Sequence, residues 1–255
     1  MPGQTIDAFH RGSFFLVQPA RGGHRAGMDA LALAAAVPSG FAGRLADLGA
    51  GAGAAGLAVA SRCPEADIVL VENSPIMAGH ARRSLDLPEN TRLGGRVMVL
   101  EADVALTGKA RTAAGLADNS FDFAIMNPPF NAEIDRATPD DLKRQAHVMA
   151  DGLFEAWLRT AAAIVRPRGG VAIIARPVSL GPILAALAGR FGKAQIVPVH
   201  ARSDAPAIRA VLRATRGARG ELSLMPPLIL HEGSGGGFSE RAEAINAGQA
   251  SLFGD

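Results

Sequence analysis

The sequence predicts an α/β fold: a doubly wound, mostly parallel sheet of seven strands that ends in an antiparallel hairpin. Three observations carry this. Short β-branched runs alternate with Ala-rich helical stretches between residues 43 and 190, the pattern of βαβ units, whose parallel strands need crossover connections. The first of these runs leads into a glycine cluster at 49–56. The last two runs, 194–201 and 207–216, have no helix between them, so they pair as a hairpin.

Each element follows in order. MDALALAAAV, 28–37, reads as a helix stopped by Pro38. GRLADLGA, 43–50, is a buried strand, and GAAGLAVASRC, 53–63, an Ala-rich helix. ADIVLVE, 66–72, is the second strand, β-branched and ending in an acid. Pro75 opens a helix that runs to Leu85. The third strand covers 95–103, residues 105–118 read as a loop, and SFDFAIMN, 120–127, is the fourth strand. After a polar stretch, 131–150, an amphipathic helix over 152–166 turns Leu153, Ala156, Trp157 and Ile164 inward. GGVAIIAR, 169–176, is the fifth strand, and 181–190 a helix. Residues 1–40 are expected to form an N-terminal segment whose helix packs on a ligand pocket. Residues 41–231 form the main domain, and 232–255, Gly- and Ser-rich at GSGGG, a flexible tail.

Composition narrows the class. With 255 residues and 48% hydrophobic content the chain can bury one substantial core. Its one cysteine, Cys63, leaves no disulfide framework and no thiolate cluster, so no metal is expected. The apolar run SFFLV, 13–17, is too short for a signal segment. No stretch reaches the ~20 apolar residues of a membrane span. A cytoplasmic monomer or homodimer without membrane contact is expected. The formal charge is only +2, yet from 159 to 220 arginines accumulate against a single acid, Asp204. Arg202, Arg209, Arg213 and Arg216 stand out as candidates to meet a polyanion.

The glycine loop fits two ligand classes. GAGAAG, 51–56, satisfies the dinucleotide pattern with Glu72 downstream to accept from ribose hydroxyls. In the longer frame DLGAGAG, 47–53, Asp47 puts a carboxylate at the end of the first strand, beside the loop. A pyrophosphate wants free N–H groups and no acid nearby. A ligand with an ammonium group, such as the methionine part of S-adenosylmethionine, suits the acid better. Asp103, after the third strand, can accept from an adenine amine, or can cap a turn.

IMNPPF, 125–130, ends the fourth strand with an amide and two prolines. At the carboxyl edge of a doubly wound sheet such an exit faces the ligand crevice. The Asn127 oxygen and the Pro128 carbonyl can accept from both N–H bonds of an aromatic amine, with Pro129 fixing the carbonyl's direction. Phe130 can stack on the ring.

With these motifs the chain resembles the class I S-adenosylmethionine-dependent methyltransferases, Rossmann-like in fold, that carry Asn-Pro-Pro-aromatic and act on amino groups of adenine, guanine or protein glutamine. HRAGMDALALAAAVP, 24–38, is similar to the segment before the glycine loop in the bacterial valine-tRNA adenine-N6 methyltransferases. PPLILHE, 226–232, is similar to that family's closing strand. The resemblance runs from about 14 to 245. It implies S-adenosylmethionine as cofactor, its methionine end held by Asp47, Gly49, Gly51 and Gly53. Glu72 and Asn73 would hold the ribose, Asp103 and Val104 the adenine, and Gly27 and Asp29 would line the donor side. It implies Asn127, Pro128, Pro129 and Phe130 as catalytic residues on the target base, and tRNA as partner, gripped through 159–220. The long 105–118 loop and the acidic PDD within 131–150 depart from the pattern and bear on the substrate.

Other substrates stay open: guanine N2 of ribosomal RNA, protein glutamine, or a small molecule. A peptide enzyme would usually carry an extra N-terminal helical domain, for which about 40 residues before the first strand are few. A small molecule has little use for an arginine-rich strand edge. A hydroxyl acceptor has one hydrogen and does not need two acceptors. Further off stand an NAD-binding protein and a non-catalytic RNA-binding module, which an intact Asn127–Phe130 turn argues against.

Overall fold

The structure, a computed structural model, describes residues 3–20, 26–129, 140–233 and 236–255, without the side chains of 140–151. The chain opens with an antiparallel hairpin that the sequence reading does not anticipate, β1 (Gln4–Phe9) and β2 (Phe14–Pro19). Its Phe14, Leu16 and Val17 are buried. Asn90 stands in for a further strand: its side chain accepts from Phe15 N–H at 2.9 Å and donates to Phe15 O at 2.7 Å. Ser84 Oγ accepts from Val17 N–H. Two side chains thus satisfy an edge that would otherwise be buried with open backbone groups.

Next come α1 (Met28–Ala34), β3 (Gly43–Leu48), α2 (Ala54–Arg62), β4 (Ala66–Glu72), α3 (Pro75–Leu85) and β5 (Val97–Glu101). The 105–118 stretch, expected as a plain loop, contains the short helix α4 (Gly108–Ala113). Then follow β6 (Phe121–Met126), α5 (Asp140–Ile164), β7 (Val165–Ala175), α6 (Leu180–Leu187), β8 (Phe191–His200) and β9 (Ala207–Arg216). Two short strands, β10 (Ser223–Leu224) and β11 (Leu228–Ile229), and the helix α7 (Glu240–Asn246) complete the chain.

The main sheet runs β5-β4-β3-β6-β7-β9-β8, with β10 and β11 both added parallel to β8. Strands β3 to β7 are mutually parallel. The predicted hairpin forms, β8 pairing antiparallel with β9, and makes this side of the sheet antiparallel. β9 inserts between β7 and β8 and pairs antiparallel with both. The reason lies in its composition: Ala210, Val211, Leu212 and Ala214 are all buried, so β9 needs neighbours on both sides and cover on both faces.

Alternation along the strands divides the core. Leu45, Ile68, Leu70, Phe123 and Ile125 pack with α1 and α2 on one face. Ala46, Leu48, Val69, Val71, Ala124 and Met126 pack with α5 and α6 on the other. The same alternation assigns Asp47, Glu72 and Asn127 to the α1–α2 face.

The expected flexible tail is corrected over 239–255. Ser239 caps α7 through Ala242 N–H, and Ala242, Ile245 and Leu252 join the α1–α2 core. Leu252 N–H donates to Ala35 O at 2.6 Å, and Arg11 pairs with Glu243 at 2.9 Å. A hydrophobic i, i+3 step, Ala242 and Ile245, gives this stretch a buried face that its Gly/Ser-rich lead-in conceals. Among the described residues no helix is long and apolar enough to cross a membrane.

If the tail is structural, Leu252→Ala should lower unfolding free energy by about 2–4 kcal/mol. Equilibrium denaturation checks this; a change within about 0.5 kcal/mol would return the tail to a mobile role.

Candidate active site

Strand order reverses at β3, which has β4 on one side and β6 on the other. In open α/β sheets the ligand crevice lies at the carboxyl ends of the strands at such a switch. Three segments leave the sheet there: the glycine loop after β3, the Glu72 turn after β4 and the Asn127 turn after β6. In register, Leu48 lies beside Val71 and Met126. One residue further, Gly49, Glu72 and Asn127 form a row across neighbouring strands spaced about 5 Å apart.

Two carboxylates order the loop. Asp47 is 2% exposed, and its Oδ2 accepts from Gly56 N–H at 2.8 Å. Gly56 lies in the first turn of α2, where backbone N–H groups lack intrahelical partners, and the helix's own N-cap, Gly53, supplies no side-chain bond. Asp47 therefore caps α2 from the strand beneath it. Glu72, 7% exposed, accepts from Gly51 N–H through Oε2 and from Ser74 N–H through Oε1, each at 2.8 Å. Burial pushes the Asp47 carboxyl up to about 7; the Gly56 N–H opposes this and the charge of Glu72 adds to it.

Gly49 has φ +72 and Gly53 φ +93, conformations that glycine adopts without strain. A Cβ at Gly49 would overlap the Trp157 ring of α5, and one at Gly56 would overlap Leu70. The loop is thus pressed between α5 and the sheet. A second tie comes from Thr160, whose hydroxyl donates to Val104 O at 2.7 Å. Trp157, Thr160, Ser74 and Gly56 were not among the predicted site residues. Gly56 was legible as the third glycine of GAGAAG; the other three act through contacts that spacing does not announce.

This arrangement discriminates between the two ligand classes. A pyrophosphate would need the Gly51 and Gly56 amides, and both already donate to buried carboxylates. A polyanion on the loop would also lie over the buried acids Asp47 and Glu72. A ligand with a cationic group and hydroxyls fits the same two acids. The residues present suit an amino-acid-bearing nucleoside and not a dinucleotide.

Asn127 is half-buried, Pro128 buried and Pro129 exposed. Among the described residues nothing hydrogen-bonds the Asn127 side chain. Phe130 lies outside the described residues. Asp103 sits beyond Glu101, the register partner of Glu72, and so reaches the same edge, but its Oδ1 accepts from Ala105 N–H at 2.8 Å in a local turn. Val104 is buried under α5. Asn73 is exposed between Glu72 and the α3 cap. Gly27 is the N-cap of α1. Asp29, in the first turn of α1, pairs with Arg209 Nε at 2.8 Å, so this acid and this arginine meet each other.

The four arginines expected to grip phosphates do not form one surface. Arg202 and Arg209 lie by the carboxyl edge of the parallel strands, Arg213 mid-strand and Arg216 at the opposite edge, because β9 runs antiparallel to β7. Arg202 donates to Gly233 O. Arg213 pairs with Asp255 at 2.8 Å and lies over the Phe253 ring. Arg216 donates to Asn119 and Val165 O.

Residues 26–202 match the methyltransferase small domain family. The chain is similar, at 43% identity and TM-score 0.77, to a protein of Agrobacterium tumefaciens described as a predicted O-methyltransferase, over 88% of this chain and 98% of that one. The fold is shared with the Thermus thermophilus 16S rRNA N2 G1207 methyltransferase in complex with AdoMet and guanosine, at 22% identity and TM-score 0.54, over 83% of this chain and 50% of that one. It is also shared with the tRNA (m1A58) methyltransferase of Aquifex aeolicus, at 13% identity and TM-score 0.50, over 80% and 79%. No curated protein matched the chain.

Asp47 makes stability depend on pH in a stated direction. Unfolded, its carboxyl titrates near 3.8; folded, at about 7. Between these values the folded chain holds the extra proton, so stability falls as pH rises and levels off above about 7. The ligand-free protein should lose on the order of 4 kcal/mol across this window. Asp47→Asn should flatten that part of the Tm-against-pH curve, and parallel curves for the two proteins would refute the assignment.

Proposed function

The chain belongs to the methyltransferase small domain family, and on that premise we propose that it transfers the methyl group of S-adenosylmethionine to an exocyclic amino nitrogen, N6 of adenine in tRNA. The observation that carries this reading is the Asn127 amide, in the row with Gly49 and Glu72 and without a hydrogen-bond partner among the described residues. When bound, the donor supplies a methyl carbon made electrophilic by the positive sulfur.

The chain's residues have separate tasks. An aromatic amine is a poor nucleophile because its lone pair is delocalised into the ring. Asn127 Oδ1 accepts one of its N–H bonds and the Pro128 carbonyl the other, which favours a pyramidal nitrogen with its lone pair free. The prolines carry no N–H and have fixed φ, so the acceptors need no reorganisation. The methylated ammonium is acidic and yields its proton to water, so the site needs no buried base. Phe130 stacks on the base. Asp47 attracts the donor's ammonium, with Gly49, Gly51 and Gly53 letting the backbone approach it. Glu72 and Asn73 face the ribose hydroxyls, Asp103 and Val104 the adenine, and Gly27 and Asp29 bound the pocket from α1.

RNA as substrate is supported by the fold shared with two RNA methyltransferases and by the motifs around α1 and β11. A hydroxyl acceptor is the second reading, favoured by the description of the Agrobacterium relative. It would leave one of the two acceptors at Asn127–Pro128 idle.

Radiolabelled donor and bulk tRNA from a strain lacking the gene separate these readings. Label should appear in N6-methyladenosine and fall at least about 100-fold in Asn127→Ala, with donor affinity within about twofold. Label on ribose oxygen, on a small molecule or on protein alone would overturn the adenine assignment.

A second measurement addresses Asp47. At pH 6 its carboxyl is largely protonated in the free protein, and an ammonium beside it favours the charged form. Donor binding should release close to one proton, read by calorimetry in buffers of different ionisation enthalpy. Asp47→Asn should abolish the release; release unchanged in that variant would move the ammonium elsewhere.

A further inference from the structure

At the amino-terminal edge of β6 and β7, about 15 Å along the strands from Asn127, lies an open cleft of about 710 Å³. One wall is apolar: Phe41 and Phe123 meet edge to face, ring centroids 5.9 Å apart. The rest is charged. Arg166 and Arg213 are already engaged, with Asp122 at 2.6 Å and Asp255 at 2.8 Å. Arg168 and Lys193 are not: both are exposed and line the cleft, and neither has an ion pair or hydrogen bond among the described residues.

These two cations share a second property. Arg168 has φ +69 and Lys193 φ +52, the left-handed region that ordinary side chains enter at a cost of about 1–2 kcal/mol. Strain of this kind persists where surrounding structure imposes it, and it concentrates at functional positions. Here it occurs twice, at the starts of β7 and β8, on residues that line one cleft. The exposed Arg219 backs the β8 turn from the connection after β9. The one carboxylate of the lining outside an ion pair is Glu221.

We propose that this cleft is a second binding site, for the backbone phosphates of single-stranded RNA, with Arg168 and Lys193 as its phosphate contacts and the Phe41 wall beside the bases. A strand is favoured over a free phosphate by the shape and the charges. The cleft is open along the edge, its cations stand on separate strands, and it has an aromatic side, the combination that tracks a polynucleotide. A small phosphate ligand is better held by converging donors in a closed pocket. The site is independent of which amine is methylated, since it lies on the opposite sheet edge and shares no residue with the Asn127 crevice.

The test uses the full chain and an end-labelled oligouridylate, titrated by fluorescence anisotropy between about 50 and 200 mM salt. Arg168→Asn/Lys193→Asn is the informative variant, because asparagine tolerates positive φ. It should bind the oligonucleotide roughly tenfold more weakly at low salt, and its log K against log salt slope should be shallower by about 1.4, the loss of two phosphate contacts. Its affinity for S-adenosylmethionine should be unchanged, which reports that the fold is kept. Arg168→Lys with native Lys193 should retain most of the slope. AMP titrated in parallel separates the sources: it should bind much more weakly than the oligonucleotide, and AMP binding as tight as the oligonucleotide would overturn a strand as the occupant. Equal oligonucleotide binding by wild type and double variant, or no binding of either ligand, overturns the proposal. Asn127→Ala run alongside should bind the oligonucleotide normally, so a failed methylation assay is not mistaken for a failed cleft.

Discussion

The molecule turns on two buried carboxylates at one sheet edge. Asp47 and Glu72 together accept from Gly51, Gly56 and Ser74 N–H. Without them, the glycine turn and the starts of α2 and α3 would carry unpaired donors inside the protein, each a loss of about 1–3 kcal/mol. With them, a flexible run of glycines acquires one conformation. The cost appears in the Asp47 carboxyl, which burial pushes up to about 7. A positive charge placed beside such an acid would favour its ionised form.

The second constraint is direction. Parallel strands deliver all their carboxyl ends to one edge, so the glycine loop, Glu72 and Asn127 meet although 78 residues separate Asn127 from Gly49 in sequence. β9 runs the other way, and a single strand thereby sends Arg209 toward that edge and Arg216 away from it. An arginine-rich sequence segment is divided between two sides of the sheet, and several members are consumed in holding the C-terminal residues and α1. Among the described residues that keep an unpaired charge, Arg168 and Lys193 lie near where β7 and β8 begin.

The layout of the crevice edge was legible because it is local. An acid before a glycine cluster, a second acid at the end of the next strand and an Asn-Pro-Pro turn each announce a strand exit through spacing. The helix 28–37 was legible from its apolar period and Pro38, and the seven principal strands from β-branched content. The hairpin β1–β2 was missed because its stabilising partner, Asn90, lies about 75 residues away. The packed tail was missed because GSGGG signals flexibility, while the two or three apolar residues after it declare themselves only against a core that is ready to receive them.

Sequence alone determined which groups the chain offers: two acids, a glycine turn, one amide fixed by prolines, and a surplus of arginine. These follow from residue type and short-range backbone restriction, which act over a few positions. Tertiary structure alone decided which of those groups are still available. Arg209 is given to Asp29, Arg213 to Asp255 and Asp103 to Ala105 N–H, while Asn127 and the pair Arg168 and Lys193 keep their hydrogen-bonding capacity among the described residues. The physical reason is that a polar group's partner is chosen by proximity after folding, and strand direction, not sequence distance, sets that proximity.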